Sequence, residues 1–253
     1  MKSITLTILC FFFTAFAIAE ISPAQKQALV DLYNSTNGNE WTNSWDLNDS
    51  PENWKGVTIF RDQVLAVSLR DNNLTGTLPA SLSNLTSLKV LNLHNNKLEG
   101  TIPASLATIK GLKTINLSLN RLEGTIPTNI LAMGSLEYLD LFFNRLEGSL
   151  PADLSGLKKL KRLSIYSNDL EGELPSSITS LTNLKELQIN SNKFTGELPE
   201  GIAMLPSLKK LSVFDNDFSG EFPNSINTLS LDELVYHDNN FSTIATDALA
   251  GGE

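Results

Sequence analysis

Cysteine is all but missing from this chain: 253 residues contain one, Cys10. It lies inside an N-terminal apolar stretch, which leaves no disulfide framework, cysteine metal site or thiol nucleophile for the rest of the molecule. Histidine is nearly as scarce, with His94 and His237 alone and far apart in sequence. Basic residues are outnumbered, 19 Lys and Arg against 28 Asp and Glu, for a formal net charge of −9. That sign argues against nucleic acid and anionic membrane as partners. Beyond residue 19 no apolar run approaches the ~20 residues that a spanning helix needs. There is no Gly-rich phosphate loop and no metal-ligand spacing. No motif sets a Ser, Asp or Glu beside a base. Neither enzyme activity nor a cofactor is expected.

The first 19 residues stand apart. Lys2 gives a short positive start, Ile4 to Ile18 form an apolar stretch around Phe11, Phe12 and Phe13, and Ala17-Ile18-Ala19 precedes Glu20. This reads as a secretory signal peptide over 1–19. Its removal predicts a secreted chain without cysteine, with a charge of −10 once Lys2 is lost from the −9 total. The end at Gly251-Gly252-Glu253 shows no anchoring tail, so no membrane insertion is expected after cleavage.

What the chain does have is a period. The pattern LxxLxLxxNxLxGxIP recurs every 24 residues, its asparagine falling at Asn72, Asn96, Asn120, Asn144, Asn168, Asn192, Asn216 and, after one deletion, Asn239. Leucines so spaced, at a period of about 20 to 29 residues, signal a leucine-rich-repeat solenoid. The expected fold is an α/β solenoid: a right-handed superhelix of eight 24-residue repeats, each lending a short strand to one concave parallel sheet. In the second repeat Leu88, Leu91 and Leu93 point inward, Asn96 turns the chain, and Leu98 and Ile102 continue the core. Gly100 and Pro103 shape the bend. A short 3₁₀ or irregular helix should bury Leu106 and Ile109. The asparagines are expected to be structural, satisfying backbone groups left unpaired at each turn.

A cap is expected over 20–63, repeats over 64–242 and a tail over 243–253. Ser22-Pro23-Ala24-Gln25 reads as a helix start, with Ser as N-cap and Gln25 closing a capping box. Leu29, Leu32 and Tyr33 share one helical face. Trp41, Trp45 and Trp54 should form the core of the cap, since terminal units must cover the open apolar end.

Leu98-Glu99-Gly100-Thr101-Ile102-Pro103 and Leu122-Glu123-Gly124-Thr125-Ile126-Pro127 resemble the plant-specific class of leucine-rich repeats, whose signature is LxGxIP. Trp54-Lys55-Gly56-Val57 is similar to the W-x-G-V of its N-terminal cap. That class includes plant receptor ectodomains, polygalacturonase-inhibiting proteins and secreted bacterial proteins. The cysteines that accompany this cap motif in plants are missing, which favours a bacterial or protist member. The resemblance implies recognition of protein, peptide or carbohydrate, without naming the ligand.

Along the concave face the exposed positions alternate with buried leucines. One column runs Arg70, His94, Ser118, Phe142, Tyr166, Asn190, Phe214, His237, and another Ser68, Asn92, Asn116, Asp140, Ser164, Gln188, Ser212, Val235. Flanking columns add Tyr138, Phe143, Arg162, Glu186 and Lys210. Aromatics clustered on a face that meets water commonly mark an interaction site. Tyr138, Phe142, Phe143, Tyr166 and Phe214 are therefore candidate ligand anchors, with His94, Asp140, Arg162 and Asn190 as polar contacts. A monomer is expected. A glycan at Asn116, which lies in an Asn-x-Ser sequon, would obstruct this face.

A lateral column, the residue after each glycine, reads Thr77, Thr101, Thr125, Ser149, Glu173, Glu197, Glu221. Two readings compete with recognition on the concave face. One is inhibition of a secreted cell-wall-degrading enzyme; the other is binding of an ice lattice by the lateral threonines.

Overall fold

The computed structural model describes residues 20–243. The expected signal peptide over 1–19 and all but the first residue of the expected tail lie outside the described residues.

The chain opens with helix α1 (Pro23–Ser35), whose Ala28, Leu29 and Leu32 are fully buried. Ser22 caps it, accepting from the Gln25 N–H at 3.3 Å. Gln25 does not close a reciprocal capping box. Its Oε1 accepts from the Val64 N–H at 2.9 Å and its Nε2 donates to the Asp62 carbonyl at 3.3 Å, which ties the helix to the first repeat. Trp41, Trp45 and Trp54 are buried, with Trp45 and Trp54 stacked at 4.8 Å. Each indole N–H reaches a backbone carbonyl (Thr36, Lys55 and Asp46 respectively), so none of the three buried indole donors is left unpaired.

Nine strands form the main sheet: β1 (Val57–Phe60), β2 (Gln63–Ser68), β3 (Val90–Asn92), β4 (Thr114–Asn116), β5 (Tyr138–Asp140), β6 (Arg162–Ser164), β7 (Glu186–Gln188), β8 (Lys210–Ser212) and β9 (Glu233–Val235). β1 and β2 make an antiparallel hairpin, and from β2 onward each strand pairs parallel with the next. The register places residues one 24-residue period apart side by side, as with Leu139, Leu163 and Leu187. These leucines are fully buried beneath the sheet.

After each asparagine turn the chain makes a second short extended segment, four of which pair into a lateral sheet. In most repeats it then returns through a short 3₁₀ helix such as Ala104–Thr108 or Ser176–Ser180, while the return between Ser149 and Arg162 is irregular. A narrow strand side opposed to a bulkier return side makes such stacks curve with the main sheet on the inside.

The asparagines form a ladder. Asn96 Nδ2 donates to the carbonyls of Leu69, Leu93 and His94 at 2.9, 2.9 and 3.2 Å. Its Oδ1 accepts from the N–H groups of Asn72 and Leu74, both at 3.0 Å. At the N-terminal end Asn72 has no earlier repeat to serve, and the cap supplies the donor: Asn43 N–H meets Asn72 Oδ1 at 2.6 Å. Cap and ladder are thus one hydrogen-bonded unit. In the last repeats phenylalanine replaces leucine, with Phe194 and Phe218 fully buried and stacked at 6.1 Å.

Candidate functional site

The candidate residues sit where strand alternation puts them, on the solvent side of the main sheet. On β5, Tyr138 and Asp140 share that side, and Phe142 continues the alternation past the buried Leu141. Register sets Tyr138 beside Arg162 and Asp140 between Asn116 and Ser164.

Four rings cluster. Phe142 and Tyr166 stack face to face at 4.6 Å with planes 5° apart. Phe143 meets Tyr166 edge-on at 5.5 Å and Phe142 at 6.2 Å. His94 reaches to 6.1 Å from Phe142 across two repeats. The residue between them, Ser118, is small and fully buried, and the two rings close over it. Its hydroxyl donates to Asn116 Oδ1 at 2.6 Å and meets His94 Nδ1 at 2.8 Å. A hydroxyl with one proton already given away must accept here, so His94 Nδ1 carries the hydrogen. Phe214 stands apart from this cluster and stacks on His237, its neighbour in the next repeat, at 5.0 Å.

Phe143 is 51% exposed and has φ of 51°. The same position in other repeats holds Asp71, Asn95, Leu119, Ser167, Ser191, Asp215 and Asp238, all left-handed; four of these are Asp or Asn, which tolerate this backbone, and Leu119 is the one other bulky residue in the column. A bulky side chain there is strained, and strain of this kind gathers at functional sites. Phe143→Asn is expected to raise stability by about 1 kcal/mol. Urea denaturation checks it; an unchanged or lower midpoint would mean that the ring contacts outweigh the backbone.

The charged positions are largely paired. Arg162 grips Glu186 at two points, Nε to Oε2 at 2.7 Å and Nη2 to Oε1 at 3.3 Å, and lies 5.6 Å over the Tyr138 ring. Lys210 pairs with Glu233 at 3.3 Å. Glu137 bridges Lys161 at 2.6 Å and Lys113 at 2.9 Å, and these hydrogen bonds, Lys161 first, hold its carboxyl down at about 2. Two expected polar contacts lie deeper than sequence alternation implies. Asp140 is 5% exposed and Asn190 8%. Asn190 accepts from the Ser212 hydroxyl at 3.0 Å. Asp140 is walled in by the long side chains at 138, 142, 162 and 166. Its burial raises its carboxyl to about 6, against the pull of Arg162.

On the lateral face the threonine methyls of Thr101 and Thr125 cover the next repeat's Gly124 and Gly148, whose φ values of 72° and 77° need a residue without a side chain. The rank is exposed but ends at Ser149, giving way to Glu173, Glu197 and Glu221.

Strand, asparagine turn and glycine bend, repeated every 24 residues with a 3₁₀ return in most repeats, define a leucine-rich-repeat solenoid. Residues 66–242 match the family model described as a leucine-rich repeat region, and the chain belongs to that family. Among solved structures it is similar to PEPR1 in the PEPR1–AtPEP1 crystal structure, with 31% identity, a TM-score of 0.79 and coverage of 86% of this chain and 32% of that one. It is similar to the Arabidopsis receptor kinase HAESA, crystallised with the peptide hormone IDA and the co-receptor SERK1. There the identity is 31% and the TM-score 0.58, over 68% of this chain and 33% of that one. A plant ice-binding protein matches at 22% identity with a TM-score of 0.58 over 88% of each chain, a likeness that shows the fold alone. The chain spans about a third of the length of the receptor chains it matches. Among the described residues no helix is long and apolar enough to cross a membrane.

Proposed function

We propose that this chain is an extracellular, monomeric, non-catalytic recognition protein that binds a peptide or an extended protein segment across its concave face. The carrying observation is the ring cluster of His94, Phe142, Phe143 and Tyr166, with Phe143 kept in an unfavourable backbone and half exposed. Folding gains little from an exposed phenylalanine in a left-handed position, whereas a ligand gains a rigid apolar anchor. The complex of HAESA with a peptide hormone supports a peptide as the ligand class.

The test is a selection of random dodecapeptides on the full chain, followed by titration against Phe142→Ala, Tyr166→Ala and the double variant. Each single substitution is expected to weaken binding by more than ~1 kcal/mol, the usual scale of an interface anchor. The double variant is expected to lose most of the selected peptides. Peptides that bind the double variant as well as the wild type would place recognition elsewhere. Failure to select any peptide, with capture on a glycan array instead, would replace peptide by carbohydrate.

A further inference from the structure

Asp140 is the feature of this face that the ring cluster does not explain. Its side chain is 7% exposed, and the nearest cation, Arg162 Nη1, stands at 3.7 Å, beyond a good hydrogen-bond length. Arg162 gives its short bonds to Glu186 instead. Counting along the face, Arg162 cancels Glu186 and Lys210 cancels Glu233. Asp140 is left to share Arg162 at 3.7 Å, without a short charge-assisted bond of its own. Removing a carboxylate from water without a dedicated partner is unfavourable, and such groups are usually paired.

Its surroundings suit an incoming cation. On one side lies the stacked pair Phe142 and Tyr166, and two residues back on the same strand is Tyr138, whose ring already carries Arg162 at 5.6 Å and Lys161 at 5.8 Å. Towards the N-terminal repeats the neighbours are Asn116 and Ser118, both small and uncharged. Aromatic faces attract cations through their quadrupoles, and the attraction grows as water is excluded. A carboxylate beneath such rings adds a charge-assisted hydrogen bond.

We infer that Asp140 is the floor of a cation-recognising subsite, framed by Tyr138, Phe142 and Tyr166, that takes the guanidinium or ammonium of an arginine or lysine side chain in the ligand. The inference rests on the proposed binding of a peptide to this face and names the chemistry of one of its contacts. Bringing in one positive group completes the charge pairing that the fold leaves open. It also gives a reason for the carboxylate's burial, which raises it to about 6. Binding of a cation therefore strengthens as pH rises through that value and the group ionises. The other titratable or charged groups facing the subsite are Tyr138 on the same strand, Arg162 and Tyr166 on the next repeat, Glu186 beyond them, and His94 across Ser118.

The experiment uses the same dodecapeptide selection on the full chain at pH 7.5, with Asp140→Asn alongside Phe142→Ala/Tyr166→Ala. Asparagine is a safe replacement because Asn92 and Asn116 occupy the same register position in earlier repeats. The expected result is enrichment of Arg or Lys at one peptide position. Asp140→Asn should then cost at least tenfold in affinity, and affinity should fall several-fold between pH 7.5 and pH 5 in both wild type and His94→Gln. Peptides that need Phe142 and Tyr166 but carry no basic residue, or that bind Asp140→Asn unchanged, would overturn the subsite and leave the peptide reading standing. Peptides indifferent to the aromatic pair, or none selected, would overturn both.

Discussion

Asn120→Ala is expected to lower the unfolding free energy by about 3 kcal/mol, the sum of several buried backbone groups losing their partner. Asn120 Nδ2 donates to the carbonyls of Leu93, Leu117 and Ser118 at 3.0, 3.0 and 3.2 Å, and its Oδ1 accepts from the Leu98 N–H at 3.0 Å. The residue is 9% exposed, so water replaces these partners poorly. Each buried group left unsatisfied costs about 1 to 3 kcal/mol, and part of the total is relieved by local relaxation. The control is Asn239→Ala in the last described repeat, where Asn239 is only half-buried. There the loss is expected to stay near 1 kcal/mol. Urea denaturation of both variants decides it. Equal midpoints would mean that the ladder contributes no more inside the stack than in its last described repeat. Because each repeat contacts only its neighbours, the Asn120 defect should also break cooperativity, separating the unfolding of the two halves.

The ladder could be anticipated from the sequence because it depends on one residue type at one spacing, and parallel stacking turns a period into a column. The same holds for the buried leucines at 139, 163 and 187 and for the patch of Phe142 and Tyr166, since strand alternation assigns sides without side-chain detail. Three things were not legible. Gln25 was expected to close a capping box, but Val64 N–H at 2.9 Å competes for its oxygen, a contact 39 residues away in sequence. The strain at Phe143 appears only once the column of left-handed residues is seen, and nothing in Phe-Phe-Asn signals it beforehand. Asp140 and Asn190 were expected as exposed contacts because alternation specifies direction and not depth. Depth is set by neighbours one strand away, and here those neighbours are long or aromatic.

Asp140→Asn is expected to make the fold more stable at pH 7, by about 2 to 3 kcal/mol, in the same protein that loses its cationic ligand. Burial raises the Asp140 carboxyl from 3.8 to about 6, partly opposed by Arg162 and reinforced by Glu186. The folded chain therefore holds a proton more tightly than the unfolded chain between roughly pH 4 and pH 6. Stability from this group is fully present below about pH 4 and is lost as pH rises through 6. Asparagine carries no charge, so its advantage should be absent near pH 4 and complete by pH 7. Chemical denaturation of both forms across that range measures the difference directly. A variant less stable than wild type at pH 7 would make the 3.7 Å pairing of Asp140 with Arg162 a net structural asset and would remove the main reason for assigning the carboxylate to a ligand. A variant that is more stable yet fails to bind would show that the fold tolerates an unfavourable charge at the centre of its concave face for recognition alone. Natural proteins commonly accept such a loss of stability at a binding site.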